Sequence, residues 1–380
     1  MADLFICGDI VNYHNTDGLV CSDELAEIVS DAAYSVCNFE APVSGYGEPR
    51  PKSGPHISQL PATVDGLKKQ GFDLLLLANN HMLDYGPDGL KATMERISRT
   101  GLECIGAGPD AESAYAPLVR TIDGLKVGMV NACEAQFGVL DLFAGEQEAG
   151  YAWIHHPRID NTILSLRSQC DFVIVFAHAG LENYPIPQKE WRARYRHFCD
   201  LGADVVIGSH PHVPQGHEEH GQSLICYSLG NFFFDTQKSK PKENCSYAVL
   251  LELKKGRPPR FRPVYHYTSG GRVRSAPKEK QVDLPHLCAL LGEPYARGHD
   301  KMSLEAYEKI RKKLLLSMLP VPYDGSAWSM VRQMAHNLLK PKKKKDKRIQ
   351  QLHLFRNETY YYAARHALEL KAGDKNGGRN

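Results

Sequence analysis

The apolar run DVVIG (204–208) is followed by Ser209 and then by His210-Pro211-His212. Two imidazoles one residue apart at the mouth of a strand can ligate a metal when other donors join them. The same chain supplies such donors after four more apolar runs. DLFIC (3–7) leads into Gly8-Asp9, YSVCNF (34–39) into Glu40, FDLLLLA (72–78) into Asn79-Asn80-His81, and DFVIVFA (171–177) into His178. Oxygen and nitrogen donors without thiolate suit Mn²⁺, Fe or Zn²⁺, and this set is too rich in histidine for a simple Mg²⁺ or Ca²⁺ site. It also exceeds what one four-coordinate ion needs, which points to two divalent metal ions bridged by a shared carboxylate, the equipment of metal-assisted hydrolysis. A lone histidine after a strand is more often a hydrogen-bonded structural residue. The coincidence of donors at five successive run ends is what raises the metal reading above that one.

The donors meet only if the runs are strands of one α/β sheet system, because the carboxyl ends of parallel strands share the edge where ligands bind. Several of the runs, and LKVGMVNA (125–132), lack polar alternation, as strands covered on both faces do. Between them VDGLKKQG, PDGLKATMERISRTG, PRIDNTILSLRSQ and PQKEWRARYRHFCDLG have helical period, some opening with Pro and closing with Gly. Beyond residue 210, HVPQGHEEHGQSLICYSLGNFFFD, SYAVLLELKKG and RPPRFRPVYHYT predict consecutive strands paired antiparallel on the same core. The pattern predicts an α/β domain over 1–268, a polar Gly-rich linker over 269–283, and a mostly helical extension over 284–380. Within the extension, YEKIRKKLLLSML, WSMVRQMAHNLL and IQQLHLFRNETYYYAARHALEL have helical spacing, KPKKKKDKR (340–348) is a solvated connector, and the Gly/Asn tail is expected to be disordered.

At 380 residues, 42% hydrophobic and 24% charged, the chain is long enough for a large core, and a net charge of +2 implies no dominant anionic partner. The opening MADLFICGDIV is too short an apolar stretch for a signal segment, and no other stretch approaches about 18 apolar residues. The expectation is a soluble, cytoplasmic chain without a membrane span. The ten cysteines lie singly, with no CxxC pair, as buried reduced thiols do. No basic platform interleaved with aromatics is present, so nucleic acid is not an expected partner. Arg192, Arg194 and Arg196 are expected to form a solvated helix face.

The stretches GDI (8–10), NFEAPV (38–43), GFDLLLLANNHMLDYGPDGL (71–90), FAHAGLENYPIP (176–187), LGADVVIGSHPHVPQGHE (201–218) and YSLGNFFFD (227–235) resemble the CapA family. Its members are bacterial capsule and poly-γ-glutamate biosynthesis proteins, similar in fold and site to the calcineurin-like metallophosphoesterases. The resemblance spans about residues 3–265 and implies a four-layer α-β-β-α sandwich. It implies that Asp9 and His212 serve one metal, that Asn80, His178 and His210 serve the other, and that Glu40 lies between them. It further implies that His81 approaches the scissile group and that Glu182 and Asn231 lie near the site as substrate-binding residues. Gly208-Ser209-His210-Pro211-His212 is similar to the family's GHxH signature with one serine inserted. One departure stands out: Val11 occupies the position where phosphoesterases commonly place a histidine, and His14 has the wrong spacing to replace it.

The function so implied is hydrolysis of a phosphoester, or of a γ-glutamyl amide, in extracellular polymer biosynthesis. The substrate would be an anionic small molecule or polymer, and other capsule-biosynthesis proteins are candidate partners. The alternative is a non-catalytic polymer-binding or assembly subunit that keeps the metal pocket, an idea to which Val11 lends weight.

Overall fold

The computed structural model describes residues 1–236, 244–310 and 347–374, together with Trp328, Val331, Arg332 and Ala335. The chain forms two compact units. The first takes Met1–Arg50 and His56–Tyr295; the second takes Pro51–Pro55 and, among the described residues, those from Ala296 onward.

In the first unit, β1 (Ala2–Val11), β2 (Tyr34–Phe39), β3 (Leu74–Leu76) and β4 (Glu103–Ile105) lie side by side, all parallel. Parallel neighbours need crossover connections, and α1 (Asp23–Asp31), α2 (Ala62–Lys69) and α3 (Gly86–Thr100) fall between these strands in the chain. β5 (Ala107–Gly108) then leaves for a small separate sheet. After α4 (Ala111–Tyr115) come β6 (Leu118–Ile122) and β7 (Leu125–Cys133), an antiparallel hairpin, and then β8 (Val139–Leu140) and β9 (Gly150–Ala152), which return to β5. α5 (Pro157–Arg167), β10 (Phe172–His178), α6 (Lys189–Asp200), β11 (Val205–Ser209), β12 (His217–His220) and β13 (Ser223–Cys226) follow. They complete a second large sheet in the order β12-β13-β11-β10-β7-β6. On the edge of β1 opposite β2, β14 (Asn231–Phe234) pairs parallel with its last residues, while β15 (Cys245–Leu253) pairs antiparallel with its first ones and is followed outward by β16 (Arg260–Ser269) and β17 (Arg272–Ser275).

The two-residue period of the strands builds the layers. Leu4, Ile6, Val36, Leu74 and Leu76 of the first sheet pack with Val127, Met129, Ile174, Phe176, Val205 and Ile207 of the second, in one buried cluster. The intervening side chains Phe5, Cys7, Cys37, Phe39 and Leu75 point the other way, against Leu25 and Val29 of α1, Val64 and Leu67 of α2, and Leu90 and Ile97 of α3. On the far side, Ile159, Ile163 and Leu166 of α5 and Trp191, Tyr195 and Phe198 of α6 are buried, with α5 packed on β7 and β10 and α6 on β11 and β13. The result is a four-layer α-β-β-α sandwich. α7 (Leu284–Ala289) belongs to the same unit, α8 (Tyr295–Ile310) begins at its last residue, and α9 (Lys347–Arg356) and α10 (Glu358–Asp374) are described helices of the second unit.

Four features differ from the sequence-based expectation. The stretch 269–283, read as a linker, contains β17. Gly270 and Gly271 both have positive φ (60° and 72°) and join Ser269 to its cross-strand partner Arg272, the conformation of a tight hairpin turn. Val273, fully buried between two arginines, anchors the returning strand. Second, β14 is parallel to β1, whereas the run containing it was expected to pair antiparallel. Third, the FDLLLLA ladder shortens to Leu74–Leu76, and the Ala78 N–H donates instead to Asn131 Oδ1 at 2.8 Å. Fourth, the three arginines of α6 are not a solvated face: Arg194 is buried, donating to Asp160 and to the Ile154 carbonyl, and Arg192 and Arg196 both donate to Glu218. The helical expectation over 311–319 and most of 328–339, the lysine run up to residue 346, and the tail 375–380 lie outside the described residues.

Candidate metal centre

The carboxyl ends of β1, β2 and β3 from one sheet and of β10 and β11 from the other supply the candidate ligands. Asp9 sits at an irregularity in β1, where the register against β2 shifts between Cys7 and Asp9 and that against β14 between Asp9 and Ile10. Such bulges re-aim side chains. Gly8 makes this one possible, since a Cβ there would collide with the Gly230 carbonyl oxygen. Glu40 follows β2 directly, Asn80 and His81 lie in the turn after β3, and His178 is the last residue of β10. His210 and His212 flank Pro211 with φ of 94° and 60°. Left-handed backbone at a non-glycine residue costs of order 1–3 kcal/mol each and gathers at functional sites. Here it is part of the turn that brings two imidazoles, one residue apart, to two different groups of donors.

Those groups share Glu40. One ligand atom each from Glu40, His178 and His210 lie within 4.8 Å of one another, and so do atoms from Asp9, Glu40 and His212. In the first group His178 Nε2 is 3.0 Å from His210 Nδ1, 3.1 Å from Asn80 Oδ1 and 3.7 Å from Glu40 Oε1. Four atoms that carry lone pairs converge there, and an uncharged imidazole has one N–H to share among them. In the second group His212 Nδ1 is 3.4 Å from Asp9 Oδ2 and its Nε2 is 3.9 Å from Glu40 Oε1. Asn231 Oδ1 accepts from His212 Nδ1 at 2.9 Å. With Nδ1 occupied by this bond, Nε2 is the nitrogen turned toward Glu40, and it becomes a ligand once an ion displaces its proton.

Asp9 and Glu40 are fully buried, and neither oxygen of Glu40 accepts a hydrogen bond among the described residues. Burial, reinforced by the Asp9 charge, pushes the Glu40 carboxyl well above the usual carboxylate range. Burial drives His178 well below the ordinary imidazole value, with the neighbouring histidines adding to the effect, and brings His210 down to about 4. Both are therefore neutral at physiological pH, the ligating form of imidazole. His212 is the opposite case: burial would lower it, but Glu40 and the bond to Asp9 hold it at about 10. A proton on His212 offsets only part of the charge of the two carboxylates, and Glu40 stays above the ordinary carboxylate range. Buried charge needs paired charge or metal coordination, and a donor set of two carboxylates, a carboxamide and three imidazoles fits two divalent ions sharing Glu40.

The remaining expected residues fall around this cage. His81 is buried, with Nδ1 2.7 Å from Asp84 Oδ2, and its charge acts on His178 and His210. Glu182 is solvent-exposed, yet its charge acts on Glu40, His210 and His212. The next residue's N–H, from Asn183, donates to the Pro211 carbonyl at 2.8 Å, tying that loop to the His-Pro-His turn. Asn231 holds His212 as described. Val11 lies in apolar packing with Ala41 and Ile57, and His14 is engaged with Asp235 at 2.9 Å, so neither adds a donor to the Asp9 group.

Three residues of the site were missed by sequence reasoning. Asn38 donates to Asp9 Oδ1 at 2.7 Å and lies 3.2 Å from His178 Nδ1. Its signal is a polar residue inside the apolar run YSVCNF. Asp84 orients His81 and also accepts from the Ile57 N–H at 2.7 Å; its signal is the three-residue spacing in His81-Met82-Leu83-Asp84. Glu134 follows β7, a sixth strand end whose polar residue went uncounted. It is buried, its Oε1 is 3.7 Å from His210 Nε2, and it accepts from Gln136 Nε2 at 2.7 Å and from the Gly180 N–H at 3.1 Å.

A four-layer α-β-β-α sandwich with a cage of histidines and carboxylates at its strand ends is the class of protein these features define. Residues 4–236 match the family model described as bacterial capsule synthesis protein PGA_cap, and the chain belongs to that family. It is 30% identical over 245 residues to the capsule biosynthesis protein CapA of Bacillus anthracis, covering 62% of this chain and 58% of that one. It is likewise 30% identical over 237 residues to the PGA biosynthesis protein CapA of Bacillus subtilis strain 168, covering 60% of each. The chain thus spans less than two thirds of the length of these relatives. Among solved structures, a hypothetical protein from Thermus thermophilus superposes with a TM-score of 0.47 at 16% identity, covering 70% of this chain and all of that one. A 5'-nucleotidase precursor from the same organism gives 0.40 at 13% identity, covering 80% and 59%. No helix among the described residues is long and apolar enough to cross a membrane.

Proposed function

We propose that this chain is a metal-dependent hydrolase with a dinuclear centre, acting on a phosphoester, or on a γ-glutamyl amide, in the biosynthesis of an anionic bacterial polymer. The observation that carries the reading is the Glu40 carboxylate, fully buried, with both oxygens lacking hydrogen bonds among the described residues and common to both donor groups. Asp9, Glu40 and His212 would hold one ion, and Glu40, Asn80, His178 and His210 the other. Manganese, iron or zinc suits these donors. Such a pair, when bound, lowers the pKa of water and polarises a phosphoryl or carbonyl oxygen.

The chain's own groups would do the rest. His81, its Nδ1 engaged by Asp84, would give a proton from Nε2 to the departing oxygen or nitrogen. Asn231 and Glu134 would steady His212 and His210, and Asn38 would steady both Asp9 and His178. Glu182, on the exposed rim, would meet the substrate. The ten cysteines, none in a disulfide and six of them buried, support action in a reducing compartment, the cytoplasm.

The test is turnover by the manganese-loaded protein on a panel of phosphomonoesters, phosphodiesters and γ-glutamyl oligomers, with His210→Ala and His81→Ala as controls. The proposal expects one substrate class to be turned over, with both variants losing most of that activity. Tight metal binding without turnover of any substrate would instead support the binding-subunit reading, which Val11 in a position phosphoesterases commonly give to histidine favours.

A further inference from the structure

We infer that the helical extension carries a second, separate cation site: a zinc-class clip formed by His299 and Asp300 of α8 with His366 of α10. One ligand atom from each of the three lies within 4.8 Å of the other two. His366 Nε2 stands 2.6 Å from Asp300 Oδ1, and the His299 and His366 rings meet edge to face with centroids 4.7 Å apart. His299 is buried, and His366 and Asp300 are half-buried.

Two imidazoles and a carboxylate are a recurrent donor set for Zn²⁺ with one open position. Zinc bonds of about 2.0–2.2 Å place tetrahedral ligand atoms roughly 3.3–3.6 Å apart. The Asp300–His366 pair must therefore open slightly and the remaining pairs, each within 4.8 Å, close by no more than about 1.5 Å, movements within reach of side-chain rotations. His366 also has a carboxylate near its outer nitrogen. Its Nδ1 lies 4.0 Å from Glu369 Oε2, while Glu369 Oε1 accepts from Arg365 Nε at 3.0 Å. At 4.0 Å this carboxylate is an electrostatic neighbour rather than a hydrogen-bond acceptor, and its charge favours a proton on Nδ1, which leaves Nε2 for the ion.

The location gives the clip a purpose. Asp300 and His366 are 66 positions apart in the sequence, and a cross-link that closes a long loop has the largest stabilising potential. The site lies outside the residues matched by the family model, 4–236, so it is a property of the extension and does not depend on the hydrolase reading.

The test uses the full chain carrying Asp9→Asn and His178→Ala, which cripple the centre in the first unit. Zn²⁺ is titrated in competition with a chromogenic chelator, and Co²⁺ is used as an optical probe. The clip predicts a remaining tight equivalent of Zn²⁺, visible d–d absorption of tetrahedral Co²⁺, and a Zn²⁺-dependent rise in the melting midpoint. Adding His366→Gln preserves a donor toward Asp300 but removes a ligand, and lowers the Zn²⁺ affinity of that equivalent by more than the roughly 10–100-fold that loss of an outer partner costs. His299→Gln does the same, and serves as the deciding variant if His366→Gln melts early in EDTA. No remaining tight equivalent, or equal Zn²⁺ affinity in the parent and a folded variant, would overturn the proposal and leave the cluster a hydrogen-bonded His–Asp pair.

Discussion

Replacing Glu40 with Gln should change the stability of the protein in opposite directions with and without metal. In the metal-free fold the carboxylate is fully buried with no hydrogen-bond donor among the described residues. A buried polar group left without partners costs about 1–3 kcal/mol, more when charged. Burial and the Asp9 charge raise its folded pKa, so the folded state binds more protons than the unfolded one above the ordinary glutamate value, and this cost grows as pH rises. Glu40→Gln removes the charge, and in EDTA at neutral pH it should raise the melting midpoint. At roughly 2–4 °C per kcal/mol for a unit of this size, the rise is on the order of 5 °C. With Mn²⁺ at about 100 times its dissociation constant, each occupied site stabilises the wild type by about 2.7 kcal/mol. Both donor groups contain Glu40, so the variant should lose most of this at both. The two melting curves, recorded by differential scanning fluorimetry in EDTA and in Mn²⁺, should therefore exchange order. A variant that melts below wild type in EDTA, or that gains as much from Mn²⁺ as wild type does, would refute the reasoning.

Glu134→Gln should weaken Mn²⁺ binding about 10–100-fold in isothermal titration, because Glu134 stands behind His210 Nε2 at 3.7 Å, while melting in EDTA changes little. Unchanged affinity would remove Glu134 from the centre. Glu218 makes a pH prediction remote from the metals. Burial alone would raise its pKa, but bonds from Arg196, Arg192 and Tyr227 bring it down from 4.5 to about 2. A depressed carboxyl contributes stability that is present above the unfolded value and is lost as pH falls through the folded one, here between about pH 4.5 and 2. That contribution is about 3 kcal/mol. The stability gap between wild type and Glu218→Gln should close over that window, and a gap as wide at pH 3 as at pH 7 contradicts the assignment.

The candidate site was legible in the sequence because its donors stand at strand ends. Gly8-Asp9, Glu40, Asn80-His81, His178 and His210-Pro211-His212 each follow an apolar run, and parallel strands bring their carboxyl ends together. Asn38, Asp84 and Glu134 were not legible for a different reason. They act by hydrogen bonds or close approach to those donors, and such contacts depend on side-chain direction rather than on position along a strand. The α6 arginines show a related limit. RARYR has the charge density of a surface, and only the neighbouring Asp160 and the β12 residue Glu218 reveal that Arg194 is buried and Arg192 and Arg196 are paired. The Gly270-Gly271 pair reads equally as a flexible joint or a hairpin turn, and the position of Val273 on the sheet decides for the turn.

The central claim, that Glu40 is shared by two cations, is tested most directly by anomalous scattering from a crystal of the protein grown with Mn²⁺. The account predicts two peaks on either side of the Glu40 carboxylate, one beside Asp9 and His212 and one beside Asn80, His178 and His210. A map with no peak there, or with a single peak that Glu40 does not touch, would contradict it.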